Sequence, residues 1–199
     1  MHHREVSELL VKRVRKNQRA LRRGQALLVE EMGVNRGRSR VDLALINSDI
    51  HGFEIKGAYD TLKRLPRQWS CYASVFSRFD LVVAGKHMAA ANDFLPDWVG
   101  LIEIDDDAKR LIRVRYPRRN PDLNAVAVAG LLWREEALSL LAAEGLDRGI
   151  RTSTRARLYE ELAAHIEVRR LQGMVAMCMR SRSNWRLPRS AKTCDRLTS

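Results

Sequence analysis

Alternating hydrophobic and polar positions between residues 41 and 56 predict a β-hairpin. Two short β-type runs, 41–46 and 50–56, flank the polar residues 47–49. If these three residues form the hairpin loop, strand pairing places Asp42 directly opposite Glu54. A loop of two or four residues would instead put the two carboxylates on opposite faces of the sheet.

Side chains alternate between the two faces of a strand, so the same pattern predicts which residues lie together. In the second strand, Glu54 and Lys56 share one face, and Phe53 and Ile55 share the other. The first strand is predicted to have one face with Val41, Leu43 and Leu45, and a second face with Asp42, Ala44 and Ile46. Two acids and an amine therefore share a face.

Hydrophobic spacing elsewhere predicts helices and strands on both sides of the hairpin. Residues 34–39, rich in Gly, Ser, Asn and Arg, are typical of a loop. The other predicted elements are helices over 5–22 and 25–32, two helical pieces within 58–77 with Pro66 in the first turn of the second, a strand over 80–84, a helix over 87–94, strands over 99–104 and 111–115, and helices over 124–144 and 155–180. The large apolar residues expected in the core are Trp69, Phe76, Trp98 and Trp133. The order of elements indicates an α/β fold, a mixed sheet flanked by helices with helical extensions at both ends.

The charge of the chain is concentrated at its two ends. The 199 residues include 36 Lys and Arg against 24 Asp and Glu, a net charge of +12. Residues 1–26 carry a net +6 and residues 151–199 a net +7, whereas the middle is nearly neutral. Because basic side chains bind phosphates and release counterions, this distribution favours a nucleic-acid partner over a purely solubilising role.

The cysteines and the hydrophobic runs indicate a cytoplasmic protein. Cys71, Cys178 and Cys194 form no CxxC pair and no metal-ligand spacing, which predicts a reducing compartment without disulfide bonds. The first residues contain no hydrophobic run of signal-peptide length. No run approaches the ~18 apolar residues that a membrane span needs, so no membrane partner is expected.

The two facing carboxylates predict a metal site. Like charges opposite each other destabilise a sheet unless a positive charge lies between them, and hard oxygen ligands select Mg²⁺ or Mn²⁺. Lys56, on the same face as Glu54, would hold or help deprotonate a metal-bound water. The alternative is a solvated strand face with a weak ion pair. His51 is a further candidate base by type, although its position at the start of a strand favours a structural role.

Further polar groups are predicted near this site. Glu31 lies on the inward face of the predicted helix over 25–32, and Glu30 is the alternative. After the second strand, Gln68 and Tyr72 lie four residues apart, on one side of a helix. Cations that would bind a nucleic-acid backbone are Arg38, Arg40, Arg64 and Arg67.

The order of these residues resembles the PD-(D/E)xK nuclease superfamily. That superfamily has a helix with Glu, then an Asp on one strand, matched here by Asp42, then Glu-x-Lys on the next, matched by Glu54 and Lys56. The spacing Gln68-x-x-x-Tyr72 resembles the extra motif of its RecB-like exonuclease branch.

The resemblance extends over roughly residues 26–104, and residues 40–72 also resemble an uncharacterised bacterial family assigned to the superfamily. The superfamily core usually has three strands before its second helix, so residues 34–39 would have to supply the first. The roles that the resemblance implies are metal binding by Asp42, Glu54 and the backbone carbonyl of Ile55, support of the metal or its water by Glu31 or Glu30, positioning of the attacking water by Lys56, and completion of the pocket by Gln68 and Tyr72.

We therefore predict a basic helical arm over 1–25, a restriction-endonuclease-like core over 26–120, and a helical extension with a flexible basic tail over 121–199. The predicted activity is Mg²⁺-dependent hydrolysis of phosphodiester bonds. The resemblance favours DNA over RNA, in repair or in defence against mobile DNA. Two alternatives stay open: a nucleic-acid-binding protein with an inactive nuclease fold, and a basic module that binds an acidic protein or an anionic membrane surface.

Overall fold

The computed structural model describes residues 1–182, so the predicted basic tail and Cys194 lie outside the described residues. The strands are β1 (Leu27–Val34), β2 (Ser39–Ile46), β3 (Ile50–Lys56), β4 (Arg78–Ala84), β5 (Gly100–Asp105) and β6 (Arg110–Arg115). The helices are α1 (His3–Asn17), α2 (Arg19–Arg22), α3 (Leu65–Val75), α4 (Met88–Phe94), α5 (Ala125–Ala129), α6 (Arg134–Ala143), α7 (Arg155–His165) and α8 (Val168–Ser181). None of these helices has the length and hydrophobicity required to span a bilayer.

The six strands form one mixed sheet in which neighbours follow the order of the chain. Strand β2 is antiparallel to both of its neighbours, β1 and β3; β3, β4 and β5 are parallel, and β6 returns antiparallel to β5. Parallel neighbours need crossover connections, which α3 and α4 supply. The carboxyl ends of β3, β4 and β5 therefore meet at one side of the sheet, where open α/β sheets bind ligands.

Hydrophobic clusters cover both faces of the sheet. Helix α1 buries Val6, Leu10 and Val14 against one face, where they meet Phe53 and Ile55. Helices α3 to α8 contribute buried residues to the cluster on the other face. The fold is thus α/β, with a mixed sheet between helices, as the sequence predicts. However, α1 is a layer of the core rather than a separate arm, and the C-terminal helices share the main hydrophobic cluster.

The prediction of a helix over 25–32 is wrong, because Leu27–Val34 form β1. Leu28 and Val29 belong to the clusters on opposite faces of the sheet, the alternation of a strand. A short apolar run of this kind does not distinguish a buried strand from a helix by its periodicity. Three strands therefore do precede α3, and the first lies earlier than the predicted residues 34–39.

Long predicted helices are divided by short breaks. The predicted helix over 5–22 is interrupted at Gln18, whose backbone is extended. In place of one helix over 124–144, α5 ends before Gly130 and α6 begins after Trp133, and the predicted helix over 155–180 divides into α7 and α8. Within 58–77, the first piece is a single 3-10 turn, whereas the second is α3 with Pro66 in its first turn.

Side-chain caps explain why these breaks were missed. At the start of α8, the Glu167 carboxylate accepts hydrogen bonds from the backbone N–H groups of Arg169 and Arg170, and at the start of α6, Glu136 accepts one from Trp133. Because glutamate is also common inside helices, the sequence does not show that Glu136 and Glu167 cap helix starts. The predicted helix over 87–94 and the predicted strands over 80–84, 99–104 and 111–115 agree with α4, β4, β5 and β6.

The register of the β2–β3 hairpin is as predicted. Ile46 pairs with Ile50, and regular pairing continues to Leu43 and Phe53. The regular pairing ends there, one position before residues 42 and 54.

Along β1 and β2, the side chains stop alternating strictly between the two faces of the sheet at the level of Asp42. Glu31, opposite Asp42 by the register of β1 and β2, has a left-handed backbone with φ 54°. Met32 lies three residues from Val29 but packs in the same cluster, and so does Val41 relative to Ala44. The prediction that Val41 shares a face with Leu43 and Leu45 is therefore wrong, because strict alternation ends at this row.

Gly52 allows α3 to lie close to β3. A Cβ atom at this position would lie 2.8 Å from the Phe79 ring and 2.9 Å from the Phe76 ring. Both rings are completely buried. Gly52 shares its face of β3 with Glu54, so the end of α3 packs on the face of β3 where Tyr72 contacts Glu54.

Gly52→Ala should lower the free energy of unfolding by about 1–3 kcal/mol, because an added methyl group forces two buried rings to move. Gly33→Ala is the matched control, since the nearest atom to its Cβ would be 3.7 Å away. Urea unfolding measures both variants. Equal stability of the two would contradict the close packing of α3 on β3.

Candidate active site

A pocket of about 410 Å³ lies at the carboxyl end of β3. Strands β2 and β3 supply Asp42, Glu54, Ile55 and Lys56 to its wall, and α3 supplies Gln68. The other lining residues are His3, Gly37, Arg38, Ser39, Arg40, Asp60 and Arg64. The hairpin register therefore brings the predicted acids and the predicted lysine to one pocket.

Glu54 and Lys56 form a buried ion pair in this pocket. Their exposed fractions are 2% and 8%, and Lys56 Nζ lies 2.7 Å from Glu54 Oε1. Burial raises the pKa of Glu54, and the negative charge of Asp42 raises it further, whereas the bonds from Lys56 and Tyr72 oppose the shift. The two carboxylates are thus close enough to repel each other.

The side chain of Asp42 replaces a strand-to-strand hydrogen bond. Its Oδ2 accepts a 2.6 Å hydrogen bond from the Ile55 backbone N–H, just beyond the last regular pair of β2 and β3. In an antiparallel ladder, the N–H and C=O groups of one residue point toward the same neighbouring strand. The Ile55 carbonyl is therefore directed to the same side as Asp42.

Gln68 and Tyr72 meet as their i and i+4 spacing predicts. Gln68 Nε2 donates to the Tyr72 hydroxyl at 3.2 Å. That hydroxyl lies 2.7 Å from the Arg40 carbonyl and 3.0 Å from Glu54 Oε2, and donates its single proton to one or the other. Burial raises the pKa of Tyr72, and the charge of Glu54 adds to the shift, so Tyr72 stays a protonated donor at neutral pH.

Glu30 and Glu31 do not line this pocket. Both were predicted on a helix but lie on β1, which neighbours β2 and not β3. The Glu31 carboxylate forms an ion pair with Arg40, 2.8 Å away. Of the four predicted nucleic-acid-binding arginines, Arg67 is the one that does not line the pocket.

The prediction that His51 has a structural role agrees with its contacts on the opposite face of the sheet. Its Nε2 lies 3.0 Å from a carboxylate oxygen of Asp80, which is fully buried and also bound by Arg113. The His51 ring stacks on Phe53, with 4.2 Å between the ring centroids. His51 and Arg113 thus satisfy a buried acid away from the candidate site.

The donor atoms of the pocket suit a hard divalent cation. Within residues 1–182, no group of three or more His, Cys, Asp or Glu side chains is placed to hold a metal ion. Asp42 and Glu54 nevertheless offer two carboxylates, and Ile55 adds a neutral carbonyl oxygen. Gln68 Oε1 is buried and has no hydrogen-bond partner among these residues. Mg²⁺ is commonly bound through one or two carboxylates, with water completing its shell.

Comparison with known proteins places the chain in a family. The family described as Bacteriophage P4 protein cII matches residues 5–191. The chain belongs to this family. Protein cII of Enterobacteria phage P4 is 30% identical over 123 residues, which are 61% of this chain and 47% of that relative. The match thus spans about half the length of the phage protein.

A solved structure is also similar, the SPO1766 protein of unknown function from Silicibacter pomeroyi. It shares 23% identity and a TM-score of 0.39, over 68% of this chain and 90% of that chain. The cII family match includes every lining residue of the candidate pocket except His3.

The pocket residues of this cII family member that the sequence did not predict are His3, Gly37, Ser39 and Asp60, of which His3 and Asp60 have ionisable side chains. His3, from α1, lies 3.4 Å from Asp42 Oδ1, and its hydrogen bond to Asp42 raises the pKa of its imidazole. Asp60, from the loop after β3, accepts a hydrogen bond from the Gly57 N–H at 2.8 Å. Asp60 had a weak signal, an acid shortly after a strand that carries Glu54 and Lys56. His3 had none, because only packing brings α1 to Asp42.

The raised pKa of Glu54 predicts a pH-dependent stability difference in metal-free protein. A carboxyl group whose pKa is raised on folding stabilises the fold below its unfolded pKa, and this contribution is lost as the pH rises through the folded value. Glu54→Gln mimics the neutral form, so its stability relative to the native chain should improve from pH 4 to pH 8. Chemical unfolding with EDTA across this range measures the difference. A constant difference, or one of opposite sign, would contradict the assignment.

Proposed function

We propose that this member of the P4 cII family is a metal-dependent nuclease with a PD-(D/E)xK site. The observation that carries the proposal is the convergence of Asp42, Glu54 and Lys56 in one pocket. Two of these groups, Glu54 and Lys56, are buried and paired with each other. A purely solvated strand face would leave such groups exposed, since burying charged groups is costly.

The order of elements supports a restriction-endonuclease-like core. A helix, α1, precedes three antiparallel strands, and α3 then leads into β4, which is parallel to β3. This provides the three strands before the second helix that the resemblance to the superfamily requires. The difference lies in the first helix, which brings His3 rather than a glutamate to the pocket.

The proposed metal ligands are Asp42, Glu54 and the carbonyl of Ile55. The bound Mg²⁺ or Mn²⁺ would lower the pKa of a water molecule and stabilise the charge that develops on a phosphate. Lys56 places its ammonium group beside Glu54, where it would hold an attacking water and the developing negative charge. The Tyr72 hydroxyl, 3.0 Å from Glu54 Oε2, would help to orient this carboxylate.

The cations at the mouth of the pocket support a polyanionic substrate. Arg38, Arg40 and Arg64 line the pocket and are exposed. Arginine binds phosphates through several donors at once, and such contacts position a strand without reading its sequence. Cleavage of DNA is the form of the proposal that the family resemblance favours.

Metal-dependent cleavage of labelled DNA tests the proposal. The native chain should cleave with Mg²⁺ or Mn²⁺ and not with EDTA. Asp42→Asn and Lys56→Ala should each lower the rate by about 100-fold to 1,000-fold, because each removes a charge that would stabilise the transition state. Labelled RNA in parallel reactions shows which nucleic acid is preferred.

Asp122→Asn is the matched control, since Asp122 is exposed and lies outside the pocket. It should retain the native rate. Binding of DNA without any metal-dependent cleavage would overturn the nuclease proposal in favour of a binding protein with an inactive nuclease fold. Residual cleavage that is the same in Asp42→Asn and the native chain would indicate a contaminating nuclease.

A further inference from the structure

A second cavity, larger than the candidate pocket, borders the open edge of the sheet. This edge cleft, of about 520 Å³, lies between β1 and the C-terminal helices. Within residues 1–182, strand β1 is the first strand of the sheet and has no strand neighbour on its outer side. The segment 130–133 and helix α7 form the facing wall.

The edge cleft contains two arginines without ion-pair partners. Arg36 and Arg155 both line the cleft and are exposed, and neither has a salt bridge within residues 1–182. Among the lining carboxylates, Glu31 is neutralised by Arg40. Glu30 is the remaining acid, so the free charge of the lining is positive.

Trp133 provides an exposed aromatic surface in the same cleft, contrary to its predicted place in the core. It is 53% exposed, because its position just before α6 keeps the ring at the surface. The guanidinium group of Arg182 lies 4.4 Å from the ring centroid, and the same group is held by Glu136 at 2.6 Å. The Trp133 ring is thus fixed in place.

A strained turn connects the edge cleft with the candidate pocket. Asn35, Arg36 and Gly37 have consecutive left-handed φ angles of 49°, 57° and 82°. Arg36 lines the cleft, Arg38 lines the pocket, and Gly37 lines both. Backbone strain of this kind persists where surrounding structure holds it, and it is common at ligand sites.

We propose that the edge cleft binds an unpaired nucleic-acid strand and leads it into the candidate pocket. Bases would stack on Trp133, and phosphates would contact Arg36 and Arg155, the combination of aromatic and basic groups by which proteins hold single strands. Trp133 favours a single strand over a duplex, because stacking on an aromatic side chain requires an exposed base face. The choice of ligand rests on the proposed nuclease function.

The competing occupant is an extended peptide that pairs with the open edge of β1. Two unpaired arginines and the net charge of +12 favour a polyanion over such a peptide. A peptide would also depend on backbone hydrogen bonds, which side-chain substitutions in the cleft leave intact.

Fluorescence polarisation with labelled oligothymidylate and a matched duplex tests the proposal. All variants are made in the Asp42→Asn background and measured with EDTA, so that cleavage does not consume the probe. Arg36→Ala with Arg155→Ala, and separately Trp133→Ala, should each weaken single-strand binding about tenfold, whereas Trp133→Phe should keep most of it. Native duplex binding should be weaker than single-strand binding.

The matched controls lie near β6, at the opposite edge of the sheet. Arg118→Ala with Arg119→Ala removes the same charge from exposed positions, and Tyr116→Ala removes an aromatic side chain that is 77% exposed. These controls should leave binding unchanged. If both pairs of arginine substitutions weaken binding equally, the effect is due to net charge alone and the proposal is overturned. Equal affinity for duplex and single strand would also overturn it.

The outcome is separable from that of the nuclease proposal. If the native chain cleaves but the cleft variants bind as the parent does, the edge cleft is overturned and the nuclease stands. If the cleft variants lose binding but the native chain never cleaves with metal, the cleft is supported as a nucleic-acid site and the nuclease is overturned.

Discussion

The candidate site depends on one constraint: two carboxylates from adjacent strands, the buried Glu54 and the partly buried Asp42, lie close together at the end of the sheet. Asp42 and Glu54 repel each other there, and burial adds to the cost of charging Glu54. Lys56 and the hydroxyl of Tyr72 contact Glu54 directly, and the backbone N–H of Ile55 donates a hydrogen bond to Asp42. A buried charge is tolerated only when such partners are complete, so these groups act as a unit.

Both helical layers contribute side chains that contact the two carboxylates. Helix α1 brings His3 to Asp42 from one face, and α3 brings Tyr72 to Glu54 from the other. The close approach of α3 depends on the missing side chain at Gly52. The site therefore depends on both helical layers, including the basic N-terminal helix α1, which is part of the core.

The interruption of side-chain alternation in β1 and β2 lies between the candidate pocket and the edge cleft. At the row where Asp42 turns toward the pocket, Glu31 adopts a left-handed backbone and pairs with Arg40. After this position, the turn at Asn35–Gly37 places Arg36 in the edge cleft and Arg38 in the candidate pocket. Within residues 1–182, these arginines thus lie near the two carboxylates without forming an ion pair with either, because Glu54 is paired with Lys56 and Asp42 with His3.

The sequence alone determined the parts of this protein that depend on short-range periodicity. Given a three-residue loop, the hairpin register and the meeting of Asp42, Glu54 and Lys56 follow from alternation over sixteen residues, because side-chain direction in a strand repeats every two residues. Only the tertiary structure decided that residues 27–34 form a strand, that Glu31 lies outside the pocket, and that His3 and Asp60 lie inside it. Those outcomes depend on contacts between distant segments, and no local pattern encodes which segment will cover a given face.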